Sequence, residues 1–161
     1  MPIEKQQGIS DDGTSNRQSP IGNRQLIEVS AGLVFRDAKL LITQRHADAH
    51  LGGLWEFPGG KREPGETFEA CLIRELREEL GIEIIVGEIL ESLTHDYPEK
   101  SVHLKFFCCR WQSGEPQTLG CVDFKWIGSA ELDHYSFPAA DARLLQVLKS
   151  SPGLWRRGVQ V

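Results

Sequence analysis

Apolar side chains recur every fourth position at Phe68, Leu72, Leu76 and Leu80. That spacing predicts a helix from Thr67 to Leu80 with one buried stripe, widened by Ala70 and Ile73. Thr67 suits its N-cap and Gly81 its C-terminal end. Elsewhere the period is two. "LIEVSAGLVFR" (26–36) and "LLITQR" (40–45) read as strands joined by a turn at "DAK" (37–39), a hairpin. "LWEF" (54–57) is a short strand entering Pro58-Gly59-Gly60. "IEIIVGEILESLTHDYP" and "VHLKFFCCRW" are two strands joined around "PEKS" (98–101), and "FKWIG" (124–128) is another. A last helix over about 138–150 turns Leu144, Leu145 and Leu148 inward. Strand-rich halves flanking one central helix, with a second helix closing the chain, predict an α+β sandwich whose mixed sheet lies between helices.

The first 25 residues are polar and nearly free of large apolar groups, so 1–25 is expected to be a flexible tail. One domain then occupies 26–150, and 151–161 is expected to be a C-terminal tail. Hydrophobic residues make up 40% of the 161 and charged ones 25%, ordinary for a globular protein. The net charge of −5 gives no general attraction for duplex nucleic acid, so a polyanionic substrate would need local basic groups or divalent cations. The four cysteines form no C-x-x-C pair and show no zinc-ligand spacing, so they are expected to be reduced thiols in a cytoplasmic protein. No apolar run approaches the roughly 18 residues of a membrane span, and no signal-peptide pattern opens the chain.

The chemistry concentrates in "GGKREPGETFEACLIRELREELGI" (59–82). Glu75, Glu78 and Glu79 stand at i, i+3 and i+4 on one helical face, read here as opposite the apolar stripe. Like charges so placed repel, and acids are unfavourable near a helix C-terminus. A hard divalent cation reverses that balance, because Mg²⁺ takes a few carboxylates together with substrate phosphates. A solvated Glu/Arg-rich face is the alternative for the helix alone. Gly59 and Gly60 allow the backbone close to a ligand, and a carbonyl there offers one more hard oxygen. Glu66 lies eight residues before Arg74, and a folded-back loop would let the two pair, making Arg74 a structural clamp.

The order Gly60, five residues, Glu66, seven residues, then Arg74-Glu75-Leu76-Arg77-Glu78-Glu79-Leu80-Gly81-Ile82 resembles the signature of the Nudix hydrolases at every defined position. The surrounding chain is similar to their MutT-like branch from "SAGLVF" through "LLITQRHADAHLGGLWEFPGGK" and "HDYPEKSVHLKFF" to "FPAADARLL", about residues 28–149. The resemblance implies a Nudix-type α/β/α sandwich. It also implies Mg²⁺- or Mn²⁺-dependent conversion of a nucleoside triphosphate to monophosphate plus pyrophosphate. Carried over position by position, it puts the metal on Glu75, Glu78, Glu79 and the Gly59 carbonyl, with Glu66 and Arg74 ordering the site and Glu75 favoured as the base. Arg45 and Lys61 are candidate phosphate ligands, with solvated surface charge as the alternative.

Two departures from that pattern bear on the outcome. MutT-like enzymes commonly carry a further metal-binding Glu six residues before the Trp matching Trp126; here Gly120 stands there, and Asp123 could substitute only if the loop shifts. Where an Asn recognises oxidised guanine in such enzymes, this chain has Ala140 followed by Asp141. Asp141 either complements a helix dipole or hydrogen-bonds a base edge. Tyr97, Phe106 and Phe137 could stack on a base or serve as core, while the histidines read as solvated loop residues. The leading substrate expectation is 8-oxo-dGTP, hydrolysed to prevent mutation; the alternative is CTP or a 5-modified dCTP. A non-catalytic 8-oxoguanine recognition module is the reading from another class, opposed by the complete set of carboxylates. No membrane or duplex partner is expected, and a monomer is, with a dimer as the alternative.

Overall fold

The computed structural model describes residues 25–157, so the expected tail 1–25 lies outside the described residues except for Gln25. β1 (Gln25–Arg36) and β2 (Lys39–Gln44) form an antiparallel hairpin whose turn residues, Asp37 and Ala38, both have positive φ, 51° and 60°. Such a turn matches the twist of the paired strands. Beyond it the two strands part. β3 (Trp55–Glu56) pairs with β2 at Thr43 and Gln44, while β4 (Gly59–Lys61) pairs with β1 at Val29–Ala31.

α1 (Phe68–Leu80) follows, capped by Thr67 Oγ1 accepting from the Ala70 N–H at 3.0 Å and by left-handed Gly81. β5 (Glu83–Asp96) and β6 (Lys100–Ser113) are long antiparallel partners, and β6 lies parallel to β1 over Gln25–Phe35. β7 (Asp123–Ile127) joins the far side of β2. The result is one seven-stranded mixed sheet with path β3-β2-β1-β6-β5.

Strand alternation sorts the side chains between two cores. Val34, Leu41, Phe107 and Cys109 meet Leu72, Leu76 and Leu80 of α1 on one face. Leu33, Phe35, Leu40, Ile42, Phe106 and Cys108 meet Leu144 and Leu148 on the other. The architecture is therefore the α/β/α sandwich. Ala70, expected to widen the stripe, is exposed, while Ile73 is half-buried against the α1 core.

The end of the chain differs from expectation. A 3-10 turn, Ala139–Asp141, precedes α2 (Ala142–Ser150), because Pro138 is extended with ψ 150°. Part of the expected tail 151–161 is α3 (Pro152–Arg156), with Pro152 in its first turn. Leu154 and Trp155 give that segment enough apolar surface to join the core. All four cysteines are buried and unpaired with one another. No helix among the described residues is long and apolar enough to cross a membrane.

Candidate active site

Where β1 and β2 part, a cavity of about 440 Å³ opens. Its wall takes Glu75 and Glu79 from α1, Gly59, Gly60 and Lys61 from β4, and Arg45, His46 and His50 from the end of β2 and its loop. Glu56, Tyr97, Lys100, Gly120, Ala140 and Asp141 also line it.

The three helix acids do not act as one face. Glu79 follows Leu72 by seven residues, two full turns, and so lies beside the apolar stripe rather than opposite it. Glu75 (14% exposed side chain) and Glu79 enter the cavity wall, whereas Glu78 (60%) points to solvent. Glu75 can approach β4 only because Gly60 lacks a side chain: a Cβ there would lie 2.2 Å from the Glu75 carboxyl carbon.

Arg74 draws the remaining acids together. Its Nη2 and Nε donate to Glu66 at 2.6 and 3.0 Å, and its Nη1 donates to Glu75 at 3.0 Å and Glu78 at 3.3 Å. It also donates to the Lys61 carbonyl at 3.1 Å, which ties α1 to β4. Glu66 accepts a further bond from the Glu63 N–H, and with Arg74 this holds its carboxyl at about 2. Glu66 and Arg74 thus brace the wall from behind and do not line the cavity.

Arg45 lines the cavity but is engaged: it pairs with Glu56 at 2.7 Å and donates to the His50 carbonyl at 2.7 Å, fixing the 46–53 loop. Its guanidinium is already paired with a half-buried acid. Lys61 is exposed at the mouth, with no acid paired to its ammonium among the described residues. Asp123 is not in the wall; its carboxylate accepts from the N–H of Phe124 at 2.8 Å, as the β2–β7 register requires.

At the base-reading candidates, Ala140 and Asp141 both line the cavity. Asp141 precedes α2 but makes no capping hydrogen bond, and it is only 6% exposed. Tyr97 stands edge-on to His50 and His95 at 4.9 and 4.6 Å. Phe106 lies in the wall, whereas Phe137 stacks on Phe57 at 5.2 Å within the core. His46, His50, Glu56 and Lys100 are cavity residues that sequence reasoning passed over; an acid inside the short "LWEF" strand was the one available signal.

Burial raises the acids inside above their ordinary range. Burial, then Glu75 and Glu56, pushes Glu79 up to about 8, and burial raises Glu75 despite Arg74. Burial, then Glu56, pushes Asp141 up to about 7. Among the described residues no three acidic, His or Cys side chains already converge as a ligand group, since Arg74 gathers Glu66, Glu75 and Glu78. The donors nonetheless fit a hard divalent cation. They are oxygens only, Glu75 and Glu79 face a cavity of about 440 Å³, and half-buried Glu79 beside Glu75 and Glu56 calls for positive charge.

Residues 30–147 match the family described as NUDIX domain. The chain is 39% identical over 122 residues to a CTP pyrophosphohydrolase of Escherichia coli, covering 76% of this chain and 90% of that one. It is 33% identical over 124 residues to the 8-oxo-dGTP diphosphatase of the same organism, covering 76% and 96%. The solution structure of the E. coli ORF135 protein superposes with a TM-score of 0.69 at 37% identity, over 82% of this chain and 94% of that one.

Proposed function

The chain belongs to the Nudix family as a MutT-like hydrolase, and from that premise we propose that it cleaves cytosine nucleoside triphosphates to the monophosphate and pyrophosphate. The observation that carries the choice of base is Asp141, a buried residue of the cavity wall whose carboxyl makes no capping hydrogen bond to the helix it precedes. A carboxyl held in the wall and not used to cap its helix is placed to pair with a ligand's polar edge, and a base that matches it gains specificity.

The charge of Asp141 decides which base fits. Its carboxyl titrates at about 7 instead of the ordinary 3.8. As a neutral acid it donates to the ring N3 and accepts from the N4 amino group of cytosine. As a carboxylate it accepts from the two N–H donors on the Watson–Crick edge of guanine. Similarity to an 8-oxo-dGTP diphosphatase favours that second reading, with oxidised guanine as the base.

Glu75, Glu79 and the Gly59 carbonyl would hold Mg²⁺ or Mn²⁺, with Glu78 at the rim. Such an ion screens phosphate charge and lowers the pKa of water. Lys61 meets phosphate at the mouth, and Glu75, anchored by Arg74 at 3.0 Å, accepts the proton of the attacking water. Phe106 and Tyr97 offer aromatic surface to the base.

Asp141 also destabilises the fold at neutral pH. Between about pH 4 and 7 the folded chain binds a proton that the unfolded chain has released, so stability falls as pH rises through that window. At about 1.4 kcal/mol per pH unit the penalty is on the order of 2–4 kcal/mol. Asp141→Asn is therefore expected to raise the melting temperature at pH 7.5 and leave it nearly unchanged at pH 4. An amide still donates and accepts, so pyrophosphate release from CTP and dCTP should persist while that from 8-oxo-dGTP is lost. Asp141→Ala should lose both preferences. A panel of CTP, dCTP, 5-methyl-dCTP, dGTP, 8-oxo-dGTP and ADP-ribose with Mg²⁺ ranks the substrates. Preference for 8-oxo-dGTP would establish the second reading, and preference for ADP-ribose would overturn both.

A further inference from the structure

Gly120 is the other residue without a side chain that stands against a cavity carboxylate. A Cβ on it would lie 2.9 Å from Cγ, 3.2 Å from Cβ and 3.3 Å from Cα of Glu79. Its backbone is not among the positive-φ glycines, Gly53, Gly65, Gly81 and Gly114, so turn geometry does not require glycine there. Space beside Glu79 is what requires it.

The loop that carries Gly120 is bonded to the end of α1. The Gln117 N–H donates to the Leu80 carbonyl at 2.9 Å, and those of Leu119 and Gly120 both donate to the Glu79 carbonyl at 3.1 Å. These bonds satisfy carbonyls that the last turn of a helix leaves open. Leu119 is 59% exposed, so its side chain does not anchor the loop by burial. Its course is set by these bonds, by buried Cys121, and by the Val122 N–H donating to the Gln44 carbonyl at 3.0 Å. One short loop thus fixes Glu79 at its carbonyl and packs along the first carbons of its side chain.

We propose that Gly120 is a positioning residue: by lying flat on Glu79 it holds that carboxylate in the cavity, and any side chain at position 120 displaces it. The inference rests on the reading of Glu79 as a cation-holding acid. It makes position 120 of this chain a seat for the α1 acid, not a source of another one. Gly120→Glu therefore weakens the site although it adds a carboxylate.

The test measures Mn²⁺ alone, by electron paramagnetic resonance on full-length protein without nucleotide, alongside thermal melting. Gly120→Ala is expected to weaken Mn²⁺ binding about tenfold or more, in the range of changes behind a metal ligand, with a smaller effect on melting. Gly128→Ala is the control, since a Cβ there meets nothing closer than 4.0 Å, and it should change neither quantity. Glu79→Ala should weaken binding by itself, and adding Gly120→Ala to it should cost little more, because the two changes act on one contact. Mn²⁺ affinity unchanged in Gly120→Ala, beside a weakened Glu79→Ala, overturns the inference alone. So does a full further loss in the double variant. Unchanged affinity in Glu79→Ala overturns the reading of the site and the inference with it. Should Gly120→Ala fail to fold, the double variant is expected to recover the folded state; continued unfolding counts against the proposal.

Discussion

Glu79→Gln is expected to lower kcat for pyrophosphate release by about 10²- to 10³-fold, the scale of losing one preorganised electrostatic group. The same change should leave the metal-free protein at least as stable at pH 7. Glu79 is half-buried beside Glu75 and Glu56, and its carboxyl is pushed up to about 8, so the isolated fold gains nothing from its charge. An amide keeps the shape and removes the repulsion. Mn²⁺ should raise the melting temperature of the wild type and do so far less in the variant, since a ligand stabilises a fold in proportion to its affinity for the native state. The opposition of signs separates a functional acid from a structural one. A structural acid would lose stability when neutralised and leave turnover near normal. Equal turnover in the two proteins would remove Glu79 from the chemistry.

Much of the frame was legible in the sequence because local chemistry specified it. Thr67, the fourfold spacing from Phe68 to Leu80, and Gly81 define α1 without reference to anything distant. The Glu66–Arg74 contact was readable as conditional on the intervening loop folding back, which it does. What was not legible depends on neighbours from elsewhere in the chain. The seven-residue spacing from Leu72 already puts Glu79 beside the apolar stripe, but how far it is enclosed depends on Gly120, whose backbone lies on its first side-chain carbons. His50 is the exposed loop residue that the sequence suggests, and its place at the cavity comes from Arg45 holding that loop through the His50 carbonyl, which no local pattern shows. Arg45 reads as a phosphate ligand or a surface charge, and its ion pair with Glu56 in the next strand, 11 residues on, is visible only in the fold. Asp141 read either as a dipole-complementing acid or as a contact to a base edge, and the missing cap bond and the burial that bear on the choice are properties of the packed structure alone.

Trp155→Ala tests the element that sequence reasoning assigned to a tail. Trp155 is 4% exposed, meets Phe35 edge-on at 5.5 Å, and donates from Nε1 to the Leu148 carbonyl at 3.1 Å. Truncation removes a large apolar area, leaves a cavity, and leaves that carbonyl without its side-chain donor. The expected loss is about 3–5 kcal/mol, the range for a buried aromatic cut to Ala. For a domain of this size it corresponds to a melting midpoint lower by roughly 6–20 °C. The consequence reaches the site through α2. That helix starts directly after Asp141, and it is held by Leu144 and Leu148 against the core face that Trp155 completes. The α1 carboxylates sit on the opposite face of the sheet in a separate core and keep their packing. Well below its midpoint the variant should therefore show a raised KM and a reduced preference among bases, with kcat changed little. Arg156→Ala, on the exposed side of the same short helix, should do neither. A midpoint shift of less than about 2 °C would mean that α3 contributes nothing to the core. A fall in kcat at constant KM would mean that the two faces of the sheet are not independent and that α2 reaches the reacting groups as well as the base.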